Sequence, residues 1–309
     1  MKKRSLINNT LSKIRYFKWS LNVAFFYFIK GVARELNIAP IFFSDLFLNR
    51  FLKKWRIKEN GQFIFNFCGA KLPDISTNRG MLNNLLSVFD DTFLFPCVFK
   101  DKYDKVLVEF MDSYMLEGPY GYTDGKFDVT VKKYDVVVDA GAWIGDFSAY
   151  AASKDAIVYA FEPVGDTFNW LCKTQALNGA KINPVRKGLS NFEGRVNISL
   201  SENSDAHSTV LKRGCTDEEI EIISLDKFVA DNRISRIDFI KADIEGAERD
   251  MLRGATNVLK TFAPKLAICT YHLPDDPEIL ENIIIEANPD YTVVHLKSKL
   301  FAAVINEFK

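Results

Sequence analysis

From Tyr134 onward, short apolar, β-branched runs alternate with stretches of helix length, and this alternation limits what the 309-residue chain can fold into. The runs cover residues 136–139, 157–161, 237–242, 265–270 and 291–296, and helix-length segments fall at 146–153, 164–177, 247–261 and 277–287. Strands apolar on both sides need cover on both sides, and helical crossovers between parallel strands supply it. The expected fold is therefore α/β: a mostly parallel, Rossmann-like sheet with helices on both faces. Such sheets bind ligands at the carboxyl ends of their strands, near the point where the strand order reverses.

The chain ahead of this pattern differs in character. Formal net charge is zero, with 40 basic and 40 acidic residues, yet residues 1–58 hold 13 Lys/Arg against only Glu35 and Asp45. A basic arm near +11 is thus joined to an equally acidic body, which argues against a nucleic-acid partner for the body. Phe and Leu at helical spacing over 21–36 and 41–55 predict a mainly helical extension. Aromatics beside Lys and Arg suit an anionic membrane face or a partner protein, although a helical extension with solvated charges has the same look. Residues 62–67 and 105–109 read as short β runs, and Glu117-Gly-Pro-Tyr-Gly-Tyr-Thr-Asp-Gly125 as a connector. The boundary is placed there, with an extension over 1–115 and the α/β domain over 116–309. The apolar stretch 21–29 is too short to span a bilayer and no cleavage site follows it. Five scattered cysteines (68, 97, 172, 215 and 269) read as free thiols in a reducing cytoplasm. Cytoplasmic placement, with peripheral contact at the inner membrane face through the arm, is the expectation.

The first strand of the α/β domain runs into Asp139-Ala-Gly141-Ala-Trp143-Ile-Gly145-Asp146. Glycines at a strand-to-helix turn let backbone N–H groups approach a ligand at a helix N-terminus. A dinucleotide site needs Gly-x-Gly-x-x-Gly, and Trp143 and Asp146 stand where its second and third glycines belong. Asp-x-Gly-x-x-x-Gly instead suits a ligand with a carboxylate, an ammonium and no pyrophosphate, the shape of S-adenosylmethionine. Asp139 would meet the ammonium, directly or through water, and Gly141 and Gly145 would clear space for the methionine tail. Glu162, 17 residues past Gly145, ends the second strand, where an acid can accept from both ribose hydroxyls. The ordinary alternatives are a helix N-cap for Asp139 and a solvated loop end for Glu162. Ser190, in Gly188-Leu-Ser-Asn191, is the candidate adenine contact by position.

A second constellation, Asp243-Ile-Glu245-Gly-Ala-Glu248, follows the strand ending at Ala242 and opens another helix, whose dipole alone would favour acids there. With Val-Val-Asp-Ala-Gly-Ala-x-Ile-Gly-Asp-Phe, Tyr159-Ala-Phe-Glu-Pro163, Ser224-Leu-Asp-Lys-Phe228 and Tyr271-His272, this block resembles the FkbM family of S-adenosylmethionine-dependent methyltransferases over residues 117–300. The resemblance implies a class I methyltransferase fold and O-methylation of a hydroxyl on a sugar, glycan or secondary metabolite. Trp143 departs from the small polar residue expected there, so it would narrow the methionine pocket or shield it.

Proton removal from a hydroxyl acceptor calls for a general base, and Asp243, Glu245 and His272 are the candidates. The same acids with a histidine could also collect a divalent metal, although no further ligand stands at recognisable spacing and no metal is assigned. His207, in the long polar stretch 201–219, is the candidate substrate contact. His295 falls within a predicted strand. The acceptor is thus a small molecule or glycan. A methyltransferase-like module that binds cofactor without catalysis, as an interaction protein, is the alternative.

Overall fold

The computed structural model describes residues 52–112, 118–200 and 216–305. The basic arm up to residue 51, with its predicted helices and membrane or partner contact, lies outside the described residues, as do His207 and Cys215.

Three antiparallel strands come first: β1 (Arg56–Glu59), β2 (Gln62–Phe67) and β3 (Ala70–Pro73). Helix α1 (Arg79–Val88), a π-helical segment (Phe89–Phe93), α2 (Leu94–Val98) and α3 (Lys105–Asp112) follow. Residues 105–109, expected as a β run, are helical. Asp104 caps the segment by accepting from the Leu107 N–H at 3.1 Å, and Val108 and Met111 are buried at a helical i, i+3 spacing that the Lys-Val-Leu-Val-Glu alternation conceals.

A two-stranded hairpin, β4 (Tyr122–Thr123) and β5 (Asp128–Val129), occupies part of the expected connector. Then come β6 (Val136–Ala140), α4 (Asp146–Ser153), β7 (Ile157–Phe161), α5 (Gly165–Asn178) and β8 (Ile182–Val185). A small sheet is made by β9 (Gly188–Ser190), β10 (Gly194–Leu200) and β11 (Thr216–Ser224). The chain continues through α6 (Leu225–Asp231), β12 (Phe239–Ala242), α7 (Glu248–Arg253), α8 (Thr256–Phe262), β13 (Lys265–Cys269), α9 (Asp276–Ala287), β14 (Tyr291–His295) and β15 (Lys299–Val304).

The main sheet has the order β14-β15-β13-β12-β6-β7-β8. Pairing is parallel from β8 to β13, and β15 is antiparallel to both of its neighbours. Strand order reverses between β6 and β12, so the expected binding crevice opens at their carboxyl ends.

Alternate residues of each strand feed two cores. Val137, Val158 and Phe239 face α4 and the N-terminal elements, where Phe65, Phe67, Phe93 and Phe95 are buried in the same cluster. Val138, Ala140, Ile240 and Ala242 face α6 to α9. Residues 52–112 are tied to the sheet by polar contacts as well: Thr92 Oγ1 donates to Asp146 Oδ2 at 2.8 Å, and Asn178 bonds the Lys71 backbone in both directions.

The single helix expected over 247–261 is broken at Gly254–Ala255. A Cβ on Gly254 would lie 1.9 Å from the Ser190 carbonyl oxygen, so the missing side chain lets α7 dock against the end of β9. No helix among the described residues is long and apolar enough to cross a membrane.

Candidate functional site

A crevice opens at the carboxyl ends of β6, β7 and β12, walled on its outer side by the small sheet. Its lining includes Gly141, Trp143, Glu162, Ser190, Asp243 and Glu245, so six of the sequence candidates converge there. Apolar side chains of Val196, Ile198, Ile220 and Ile222 close the far wall.

The glycine loop is held against the sheet from both sides. Gly141 and Ala142 donate their N–H groups to the Phe161 carbonyl at 3.1 and 2.9 Å. At Gly141, φ is +73°, and an added Cβ would fall 2.0 Å from the Asp243 carbonyl oxygen. The loops after β6 and β12 therefore touch backbone to backbone, which only glycine allows.

Glu162 buttresses the same loop. Oε2 accepts from the Trp143 N–H at 3.1 Å and Oε1 from the Val164 N–H at 2.9 Å. Each carboxylate oxygen can accept twice, so the pair retains capacity toward the crevice. Burial raises its pKa to about 8, with the charge of Asp139 adding to the rise; the two N–H donors and Lys241 pull the other way. The indole of Trp143 forms part of the wall, and its Nε1 is buried without a hydrogen-bond partner.

Two cofactor candidates are placed elsewhere. Asp139 lies on the same strand face as Val137, away from Ala140 and the crevice, and is 0% exposed. Its Oδ2 accepts from Ser148 Oγ at 2.6 Å, and its Oδ1 lies 3.2 Å from Lys241 Nζ, its register partner on β12. Strand alternation thus turns its side chain toward Lys241 and Ser148, and it is not among the residues that line the crevice. Gly145 likewise makes room for α5: a Cβ there would meet Leu171 Cδ1 at 2.7 Å and Thr174 Cγ2 at 3.0 Å.

Lys241 is the buried cation of the site. Burial opposes its charge, but Asp139, Asp243 and Asp146 together hold its pKa above the ordinary lysine value. Its Nζ donates to the Gly141 carbonyl at 2.7 Å, which pins the glycine loop from below.

Asp243 continues the same face at the tip of β12. Tyr120 Oη donates to its Oδ2 at 2.7 Å and Tyr271 Oη to its Oδ1 at 3.4 Å. Burial would raise its pKa, but Lys241, His272, Lys299 and the Tyr120 hydrogen bond bring it down to about 2. Tyr120 itself packs between cations, 4.2 Å from Lys299 Nζ and 5.4 Å from Lys241 Nζ.

His272 stands behind the two acids, with its side chain 0% exposed. Nε2 lies 3.5 Å from Asp243 Oδ1 and 3.6 Å from Glu245 Oε2, and Nδ1 lies 3.1 Å from Glu248 Oε1. Neither ring nitrogen meets an acceptor in hydrogen-bond alignment. Burial alone would lower its pKa, but contact with Glu245 and Glu248 and the charges of Glu248 and Asp243 raise it to about 11. So placed, the ring turns its nitrogens to Asp243, Glu245 and Glu248, and His272 is not among the residues that line the crevice. His295, at the end of β14, pairs with Glu281 at 2.7 Å.

Sequence reasoning missed Tyr120, Tyr271 and Lys241. Lys241 carried a signal, a lysine inside an otherwise apolar strand run. Tyr120 carried only an aromatic residue in a Gly/Pro-rich turn.

A doubly wound sheet with a glycine turn after its first strand, an acid at the tip of the second and an acidic turn after β12 is the framework of a class I methyltransferase. The methyltransferase FkbM domain matches residues 139–300, just over half of the chain, and the chain belongs to that family. It is 30% identical over 155 residues to the hexuronic acid methyltransferase AglP of Haloferax volcanii, covering 50% of this chain and 62% of that protein. It is 30% identical over 169 residues to the methyltransferase sdnD of Sordaria araneosa, covering 43% of this chain and 65% of that protein. The chain thus spans just under two thirds of each of these relatives. A crystal structure of the methyltransferase FkbM from Methylobacillus flagellatus is similar with a TM-score of 0.46 at 22% identity, covering 73% of this chain and 55% of that one.

Proposed function

We propose that the chain transfers a methyl group from S-adenosylmethionine to a hydroxyl of a sugar or sugar-derived acid. The observation that carries this reading is the position of Glu162: its carboxyl ends β7, faces the crevice and is fixed by two backbone N–H groups. That donor set fits a ribose, with both oxygens able to accept a further hydroxyl. The crevice around it has an apolar wall for a base, and Ser190 adds a polar contact at its edge. Membership of the family supports the same cofactor, and the name of the AglP relative supports a carbohydrate acid as acceptor class.

S-adenosylmethionine, when bound, supplies a methyl group on a positively charged sulfur. The chain's own work is then placement and charge. Glu162 and the Gly141 loop hold the nucleoside end. Asp243 and Glu245 line the acceptor end of the crevice, where they accept from the incoming hydroxyl and align its oxygen. One of these two carboxylates takes the proton as the new C–O bond forms. Tyr120, Tyr271 and Lys241 keep Asp243 anionic and oriented.

The test has two parts. Calorimetric titration with S-adenosylhomocysteine should give stoichiometric binding that Glu162→Ala abolishes. Incubation with radiolabelled S-adenosylmethionine and uronic-acid-containing oligosaccharides should yield a base-stable methyl ether. Failure to bind S-adenosylhomocysteine at near-millimolar concentration would overturn the cofactor assignment, and labelling of protein or nucleic acid in place of carbohydrate would overturn the acceptor class.

A further inference from the structure

We propose that Asp243, Glu245 and His272 form a binding site for one divalent transition-metal cation at the acceptor end of the crevice. Each residue brings a ligand atom to within 4.8 Å of the others. The 3.5 and 3.6 Å separations of His272 Nε2 from Asp243 Oδ1 and Glu245 Oε2 are too long for good hydrogen bonds. They are the right length for atoms sharing one ion, since ligands about 2.1 Å from a tetrahedral centre stand roughly 3.4 Å apart.

An independent observation points the same way. The His272 ring is wholly shielded from solvent, and Nε2 is buried without a hydrogen-bond partner while facing the two carboxylates. Polar nitrogens are seldom left so unless something absent from the protein chain satisfies them. On the other side of the ring, Nδ1 faces Glu248, which is itself 0% exposed and anchored by the N–H groups of Ile244 at 2.8 Å and Gly246 at 3.0 Å. A carboxylate behind an imidazole fixes the tautomer and ring orientation of a metal-ligating histidine. Tyr120 holds Asp243 in the same way.

One imidazole and two carboxylates suit zinc, manganese or iron better than calcium or magnesium, which prefer all-oxygen shells. Three protein ligands leave a coordination position open. Because Asp243 and Glu245 line the crevice, that position faces the acceptor. This inference rests on the methyl-transfer reading and deepens it. The acceptor hydroxyl binds the cation, which lowers its pKa. As its oxygen–carbon bond forms and the carbon–sulfur bond breaks, the proton passes to the second oxygen of Glu245 and the sulfur leaves as a neutral thioether.

The experiment measures metal content, not turnover. Full-length chain stripped with chelator is dialysed against Zn2+ or Mn2+, and bound metal is measured per chain. One equivalent is expected, with affinity lowered by about 100-fold or more in His272→Gln and in Glu245→Gln and unchanged in His295→Gln. Titration of each variant with S-adenosylhomocysteine confirms folding and is expected to match wild type. Should His272→Gln fail to fold, Glu245→Gln, on an accessible turn, decides alone. Absence of stoichiometric metal in the wild-type chain, or undiminished binding in the folded variants, overturns the site. Metal binding without S-adenosylhomocysteine binding would instead overturn the methyl-transfer reading and leave the cation site standing.

Discussion

Glu162 makes opposite demands on stability and on ligand binding, and pH separates them. Its folded-state pKa of about 8 lies above the ordinary value of 4.5, chiefly through burial. Between those values the unfolded chain binds fewer protons than the native one, so this residue's contribution to stability falls as pH rises from 4.5 to 8. Ribose recognition runs the other way. An ionised carboxylate accepts hydroxyl hydrogen bonds worth about 1.5–3 kcal/mol each, against roughly 1 for a neutral acceptor. Two such bonds correspond to a loss of about 1–4 kcal/mol when the group is protonated, or roughly fivefold to nearly a thousandfold in affinity. Affinity for S-adenosylhomocysteine should therefore drop by up to about tenfold for each pH unit below 8. Glu162→Gln fixes the neutral form: it should bind weakly at pH 8.5, show a flat profile down to pH 6, and meet the wild-type curve at the acid end. The groups whose charges bear on Glu162 are Lys241 and Asp139, which pair with each other at 3.2 Å. Calorimetry at constant ionic strength reads the affinity, and urea unfolding at pH 8 should find Glu162→Gln at least as stable as wild type. A wild-type affinity that stays level from pH 6 to 8, or a variant that tracks it, would refute the assignment of Glu162 as the ribose acceptor.

Lys241→Met should destabilise the fold by about 3–5 kcal/mol, because it leaves Asp139 buried without its cation. Adding Asp139→Asn should restore part of that loss, and equal urea midpoints for wild type and the single variant would count against the pair. Gly254→Ala places a methyl 1.9 Å from the Ser190 carbonyl and should cost about 2–3 kcal/mol while also weakening S-adenosylhomocysteine binding through displaced Ser190. A melting temperature within a degree of wild type would show that the contact can relax. Tyr120→Phe removes the 2.7 Å hydrogen bond to Asp243 and should lower turnover by about tenfold or more with cofactor affinity intact. Unchanged turnover would make Tyr120 a packing residue only.

The parts of this protein that could be read from sequence are those written in local pattern. Apolar runs separated by helix lengths were enough for β6, β7, β12 and β13 of the parallel sheet, whereas β8, Ile-Asn-Pro-Val, has too little apolar pattern to stand out. Glu162 and Gly141 were legible for a related reason: each sits a fixed distance along the chain from a strand end, and a strand end points at the crevice. Asp139 stands apart from the crevice lining because the same rule ignores parity. One residue before the turn, strand alternation decides which face a side chain meets, and Asp139 shares its face with Val137 and Lys241. Nothing in Val-Val-Asp-Ala says which face is the core until the partner strand is known.

The acceptor end was least legible, because it is assembled across long stretches of chain. Tyr120 reaches Asp243 over 123 positions, and Lys299 supports Tyr120 from the start of β15, donating to the Gly118 carbonyl at 2.8 Å. Tyr120 also lies ahead of the 139–300 segment that the family domain covers. A loop outside the domain's own motifs therefore sets the orientation of an acid inside them. On the proposed reading, that arrangement separates the two tasks of the crevice. The Glu162 end is built from neighbouring crossovers and would take the nucleoside. The Asp243 end takes its second contact from the connector at Tyr120, so on the proposed reading changes there alter the acceptor without disturbing the cofactor. An exchange of the 118–125 loop with that of a relative should accordingly shift acceptor preference while S-adenosylhomocysteine affinity holds. A loss of both together would show that the two ends are one mechanical unit.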